Sequence, residues 1–161
     1  MITIWSPWRM EYIDNPVKPE GCIFCREAAR EDGPENLIVA RGVKAFVIIN
    51  RYPYTSGHLM VVPYPHLPTL EALDTETRAE IMELASRSVD VLGLVYHPEG
   101  FNLGINIGKA AGAGIDDHVH LHVVPRWSGD TNFMTTISTA RVLPEDLPAT
   151  YLRVRTAWEG K

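Results

Sequence analysis

The chain has 161 residues, 45% hydrophobic and 22% charged, with a formal net charge of -5; it is long enough for one packed domain, 1–161, and short for two independent cores. The acidic balance argues against a sequence-independent grip on nucleic acid, which depends on Lys and Arg neutralising phosphates. No apolar run approaches the roughly 18 residues of a bilayer span, and Met1 to Met10 lacks a charged leader ahead of an apolar core, so neither a membrane partner nor export is expected and the cytoplasm is the expected compartment.

Trp5, Trp8 and Tyr12 stand among prolines in the opening segment, residues 1–21, which reads as irregular chain packed over the domain. Cys22 and Cys25 follow, too close together to staple distant parts of a secreted fold. Asn36 to Arg41 and Ala45 to Asn50 are apolar runs separated by Gly42, the pattern of a hairpin of buried strands, and His58 to Val62 is a third strand closed by Pro63 and Pro65. From Asp74 the period changes. Ile81, Leu84, Ala85, Val89, Leu92 and Val95 recur at helical steps, Asp74 is the expected N-cap with Glu76 in the first turn, and Pro98 predicts an end near His97. Strands resume over Phe101 to Gly108 and His118 to Pro125, joined by the glycine-rich stretch Gly108 to Gly114, and a weaker helical signal lies beyond Pro144.

His118-Val119-His120-Leu121-His122 alternates strictly, so a strand would set three imidazoles on one face and Val119, Leu121 and Val123 on the other, under the helix. Three readings compete. The histidines are satisfied side chains; they chelate a metal; or one is a nucleophile that forms a covalent intermediate and splits one displacement into two. The third requires a neutral ring nitrogen facing substrate and a hydrogen bond fixing the other. The glycine-rich stretch is either a flexible turn or a loop whose backbone N–H groups meet phosphate oxygens, and together with the histidines it points to phosphoryl chemistry.

His-x-His-x-His followed by two apolar residues resembles the signature of the histidine triad family of nucleotide hydrolases and transferases. Trp5 to Ile13, Asn50 to Tyr54, Gly57 to Pro63, Gly100 to Gly108 and Pro125 to Met134 resemble the bacterial branch that contains diadenosine tetraphosphate phosphorylases. The resemblance implies an α+β fold, with an antiparallel sheet of about five strands, one long helix and a C-terminal helical segment, paired as a homodimer. It implies cleavage of dinucleoside polyphosphates, with His120 as nucleophile, His122 assisting the leaving group and a nucleotidyl-histidine resolved by phosphate or water. Relatives with nucleoside phosphoramidate hydrolysis, or with nucleotide binding and vestigial activity, are the alternatives. Asn50 matches a nucleoside contact, Asn106 a position near the phosphates and His58 one near the active site, while Gly112, Ala113 and Gly114 belong to the loop beside them. Gly114 stands where the human-type branch carries a phosphate-binding Gln, leaving its backbone N–H as the substitute and Lys109 as a nearby positive charge. A divalent cation travelling with the polyphosphate is compatible with this chemistry.

The same resemblance assigns Cys22 and Cys25, with His66 and His118, to a structural zinc ion in a closed Cys2His2 set. On that reading His118 serves the site by holding its strand, and the metal ties the N-terminal segment to the catalytic strand.

Overall fold

A computed structural model describes residues 21–130 and 145–160. The expected packing of residues 1–20 and the end of the Pro125-to-Met134 match lie outside the described residues. Helix α1 spans Ile23–Ala28; strands β1 (Ile38–Arg41), β2 (Ala45–Ile49) and β3 (Leu59–Pro63) precede helix α2 (Thr75–Tyr96); β4 (Gly100–Ile105), a 3-10 turn (Lys109–Ala111), β5 (Leu121–Arg126) and helix α3 (Leu147–Glu159) follow. The five strands form one sheet in the order β1-β2-β3-β5-β4, and every neighbouring pair is antiparallel. This is the α+β architecture expected from the sequence, with one long helix and a helical C-terminal segment.

Helix α2 crosses β2, β3 and β5, and α3 packs on α2 and β1, so both cover the same side of the sheet. Leu59, Val61, Leu121 and Val123 are buried, their alternation turning every second side chain toward the helices. The buried stripe of α2 is Thr77, Ile81, Ala85, Ser88, Val91 and Leu92; Leu84, Val89 and Val95 are only half-buried at its flank. The stripe therefore sits slightly round from the apolar periodicity, because Ser88 satisfies its hydroxyl on the Leu84 carbonyl at 2.7 Å and can be buried. Asp74 caps α2 as expected, accepting from the Thr77 N–H at 2.8 Å. The helix stops at His97, which takes a left-handed conformation and donates its N–H to the Gly93 carbonyl.

Three boundaries differ from the sequence pattern. α1 was not visible in the periodicity, being one and a half turns of helix opened by Cys22. The ladder of β5 begins at Leu121, not His118. Its partner β3 ends at Pro63, which has no N–H to continue the ladder, so Val119 donates instead to the Leu67 carbonyl at 2.7 Å. β4 ends at Ile105, whose cross-strand partner is Leu121, the first residue of β5; Asn106, Ile107 and Gly108 thus leave the sheet where their partner strand does.

Candidate active site

Directly opposed residues in an antiparallel pair share a face, and the register sets Ile48, Met60, His122 and Gly104 in one row across β2, β3, β5 and β4. The row lies on the side of the sheet away from α2. His120 arrives just before the β5 ladder, its ring centroid 4.8 Å from that of His122.

The two imidazoles are held in opposite hydrogen-bonding states. His120 Nδ1 lies 2.9 Å from the His118 carbonyl oxygen; a carbonyl only accepts, so Nδ1 carries the proton and Nε2 keeps its lone pair. Burial pushes His120 below the ordinary imidazole value, against the smaller opposing effect of that hydrogen bond. Phe24 from α1 packs on the ring at 4.9 Å between centroids and on His118 at 5.4 Å. His120 is thus a neutral imidazole whose Nε2 has no hydrogen-bond partner among the described residues, the form a nucleophile requires.

His122 is fixed through a chain of donors. The Tyr54 backbone N–H, which can only donate, reaches His58 Nδ1 at 3.1 Å. His58 must then carry its proton on Nε2, which lies 2.9 Å from His122 Nδ1. His122 Nδ1 accepts, and in a neutral ring its own proton sits on Nε2. One histidine of the pair offers a lone pair and the other an N–H. His58 is fully buried and acts here through His122.

A cavity of about 150 Å³ between α1 and the sheet is lined by Phe24, Leu37, Ile48, Asn50, Met60, Gly114, His120 and His122, among others. Its walls are mostly apolar, as a slot for a base would be, and Asn50 stands among them. A second cavity of about 370 Å³ shares Tyr54 and His122 with the first and includes Asn106. Of the residues expected at the substrate, Asn50 and Gly114 therefore meet His120 and His122, Asn106 meets His122 alone, and Lys109, Gly112 and Ala113 line neither cavity. Lys109 is 85% exposed and pairs with Asp116 at 3.6 Å. Sequence reasoning did not single out Phe24 or Tyr54. Phe24 lay between the two cysteines, and Tyr54 in the Asn50-to-Tyr54 segment already matched to the family.

His118 turns away from both cavities. Its Nδ1 lies 3.3 Å from Cys22 Sγ and 3.7 Å from Cys25 Sγ, and His66 Nδ1 lies 3.4 Å from Cys25 Sγ; all four donors fall within 4.8 Å of one another. A tetrahedral zinc ion with thiolate and imidazole ligands sets sulfur–nitrogen separations of about 3.5 Å, so the donor set fits that ion. α1 makes the cluster possible by placing Cys22 and Cys25 one helical turn apart. The outer nitrogens are also held: His118 Nε2 donates to the Pro63 carbonyl at 2.8 Å, and His66 Nε2 lies 3.6 Å from Asp117, the arrangement that orients metal-bound imidazoles. Burial and the adjacent Cys22 push the Cys25 thiol up, a cost that a cation between the sulfurs would reverse.

The HIT domain family model matches residues 34–129. The chain belongs to the HIT domain family. It is 40% identical to a protein of Mycobacterium tuberculosis named AP-4-A phosphorylase, across 96% of this chain and 83% of that one. It is 27% identical to an adenosine 5'-monophosphoramidase of Schizosaccharomyces pombe, across 80% of this chain and 91% of the relative. Among solved structures it resembles a zinc-bound histidine triad family protein from Mycobacterium smegmatis, with a TM-score of 0.69 and 26% identity, covering 87% of this chain and 94% of that one. The family expected from the sequence is therefore shown, and in the structure His118 is set apart from His120 and His122. No helix of the described residues is long and apolar enough to cross a membrane.

Proposed function

We propose that this protein cleaves dinucleoside polyphosphates, such as diadenosine tetraphosphate, by transferring a nucleotidyl group first to His120 and then to inorganic phosphate or water. The observation that carries this is the opposed pair of imidazoles, one with a lone pair and one with an N–H, at the mouth of a slot suited to a nucleoside.

The slot under Phe24 and Leu37 takes the base, and Asn50 faces the sugar. His120 Nε2 attacks the phosphorus bonded to that nucleoside. The new P–N bond forms as the bond to the bridging oxygen breaks, and the electron pair leaves on the remaining polyphosphate. His122 Nε2–H lies ready to donate a hydrogen bond to that oxygen and so stabilise the charge gathering on it. In the second step an oxygen of phosphate or water attacks the same phosphorus, the P–N bond breaks and its electron pair restores neutral His120, and the acceptor's surplus proton passes to solvent. Any divalent cation enters with the polyphosphate as part of the substrate.

Cys22, Cys25, His66 and His118 would hold a structural zinc ion, whose role is to fix α1 and the segment before β5 to one another. The His118 carbonyl then presents to His120 from an anchored residue. We read the chain as one histidine triad domain acting in the cytoplasm, consistent with free thiols at Cys22 and Cys25, and as a homodimer; β4, an edge strand of the sheet among the described residues, is a surface on which a second copy could add.

Incubation with diadenosine tetraphosphate, with and without inorganic phosphate, tests the reading. ADP plus ATP means phosphorolysis and AMP plus ATP means hydrolysis; no cleavage of the dinucleotide would reject it. A second reading, phosphoramidate hydrolysis, draws support from the monophosphoramidase relative and from the His122 donor, which suits an amine leaving group. Turnover of a nucleoside phosphoramidate in preference to the dinucleotide would establish it. Nucleotide binding with turnover of neither substrate would instead mark a binding module.

A further inference from the structure

The larger cavity is absorbed by none of the steps above. It is an open cleft of about 370 Å³ on the sheet face beside His122, walled by Tyr54, Asn102, Asn106, Arg126 and Asp130. Gly104 forms its floor directly opposite His122 in the β4–β5 ladder, and a Cβ built on Gly104 would meet no atom within 4 Å. The cleft exists at that point because the residue has no side chain.

Building on the nucleotidyl-transfer reading, we propose that this cleft is the subsite for the departing nucleoside, the half of a dinucleoside polyphosphate that leaves on the far side of the phosphate chain. Three features carry the assignment. His120 lines only the smaller cavity, whereas His122 and Tyr54 line both, so phosphorus at the junction has its nucleophile on one side and the larger cleft on the other. In-line displacement sends the leaving group to the side opposite the nucleophile. Tyr54 stacks near-parallel with His122, 26° between ring planes, and as a wall of the cleft it offers an aromatic surface of the kind on which bases pack.

The third feature is charge. Arg126 is the cation of the cleft among the described residues, yet its Nε and Nη2 grip the two carboxylate oxygens of Asp130 and its Nη1 donates to Asn102 Oδ1 at 2.7 Å. A guanidinium spent on a carboxylate and an amide has little left for phosphate, and Asp130 repels a bare anion. Amides and an aromatic ring suit a neutral nucleoside. The Thr55 hydroxyl donates to the Pro125 carbonyl at 2.9 Å, fixing the Tyr54 loop to β5 and holding the wall in place.

The test is the ratio of kcat/KM for diadenosine tetraphosphate to kcat/KM for the p-nitrophenyl ester of AMP, which has no second nucleoside. Gly104→Leu fills the cleft, and the ratio should fall about tenfold or more, chiefly through KM for the dinucleotide. Gly104→Ala adds only a methyl group into open space and should give a smaller fall in the same direction, so a folding failure of the leucine variant does not decide the matter. A ratio within twofold of wild type in the better-folded variant would overturn the subsite. If wild type cleaves neither substrate, the nucleotidyl-transfer reading fails by itself. The cleft is then judged by calorimetric titration, where Gly104→Leu must weaken diadenosine tetraphosphate relative to AMP, and equal affinities would again overturn it.

Discussion

His118 and His122 stand four residues apart in one run, and their surroundings make them do different work. At the His118 end, ring nitrogens face two cysteine sulfurs and a proline carbonyl. At the His122 end, one nitrogen accepts from His58 and the other faces the cavities. His120 joins the two ends, because its Nδ1 proton goes to the carbonyl of His118. On the proposed mechanism, identical side chains thus act as a clamp, a nucleophile and a donor according to what occupies the second ring nitrogen.

The largest effect is expected at His120, the proposed nucleophile. His120→Ala should lower turnover of diadenosine tetraphosphate by about a thousandfold or more while leaving nucleotide binding within a few fold. Rapid-quench detection of a nucleotidyl-enzyme in wild type, and its loss in the variant, would check the covalent step; unchanged turnover would dismiss it.

His58 comes next, as a positioning residue. His58→Phe keeps a ring in the buried site but removes the N–H that fixes His122, and kcat for the dinucleotide should fall about ten- to a hundredfold with little change in KM. Nitrogen NMR of His122 should show the Nε2–H tautomer in wild type and its loss in the variant. A fall in kcat with the Nε2–H tautomer of His122 intact in the variant would mean that His58 only supports packing.

Breaking the clamp should produce a milder and broader change. Protein purified without added metal is expected to hold close to one zinc per chain; less than a tenth of an equivalent would remove the clamp from the picture. Chelation should lower Tm and reduce activity together, because α1 carries both the cysteines and Phe24, which packs on His120. Cys22→Ser should reproduce the effect in part.

The β1–β2 hairpin, β3 and the span of α2 were legible because their runs are long or periodic and bounded by Gly42, Pro63, Asp74 and Pro98, each with a local physical effect. The histidine alternation was equally plain, but its consequence was not. A strict strand would have put His118 beside His120 and His122; Pro63 ends the ladder two residues too early for that. α1 stayed hidden because six residues carry no period, although the Cys22-Cys25 spacing is one helical turn. The two hydrogen-bond chains were beyond reach, since His58 and His122 are 64 positions apart and only the β3–β5 pairing brings them together. The larger cleft was invisible for a related reason: a glycine in a strand announces nothing until its cross-strand neighbour is known.

The smallest effect separates the clamp from stability in general. Asp74 lies at the start of α2, which packs on the sheet face opposite the triad, and its carboxylate accepts from the Thr77 N–H and hydroxyl. Those bonds, with a lesser contribution from Lys44, hold it well below the usual carboxylate range, at about 2. A folded-state value below the unfolded one means that the contribution is complete above about pH 4 and disappears as pH falls toward 2. Asp74→Ala should therefore lower Tm slightly at neutral pH, and the difference from wild type should shrink through that acid window as the wild-type carboxylate is protonated. The variant should keep wild-type kcat at temperatures where it is folded. If chelation and Asp74→Ala lowered kcat equally for an equal loss of Tm, the metal cluster would be a stabiliser like any other. A fall in kcat confined to chelation would show that anchoring His118 is felt by the imidazole its carbonyl holds.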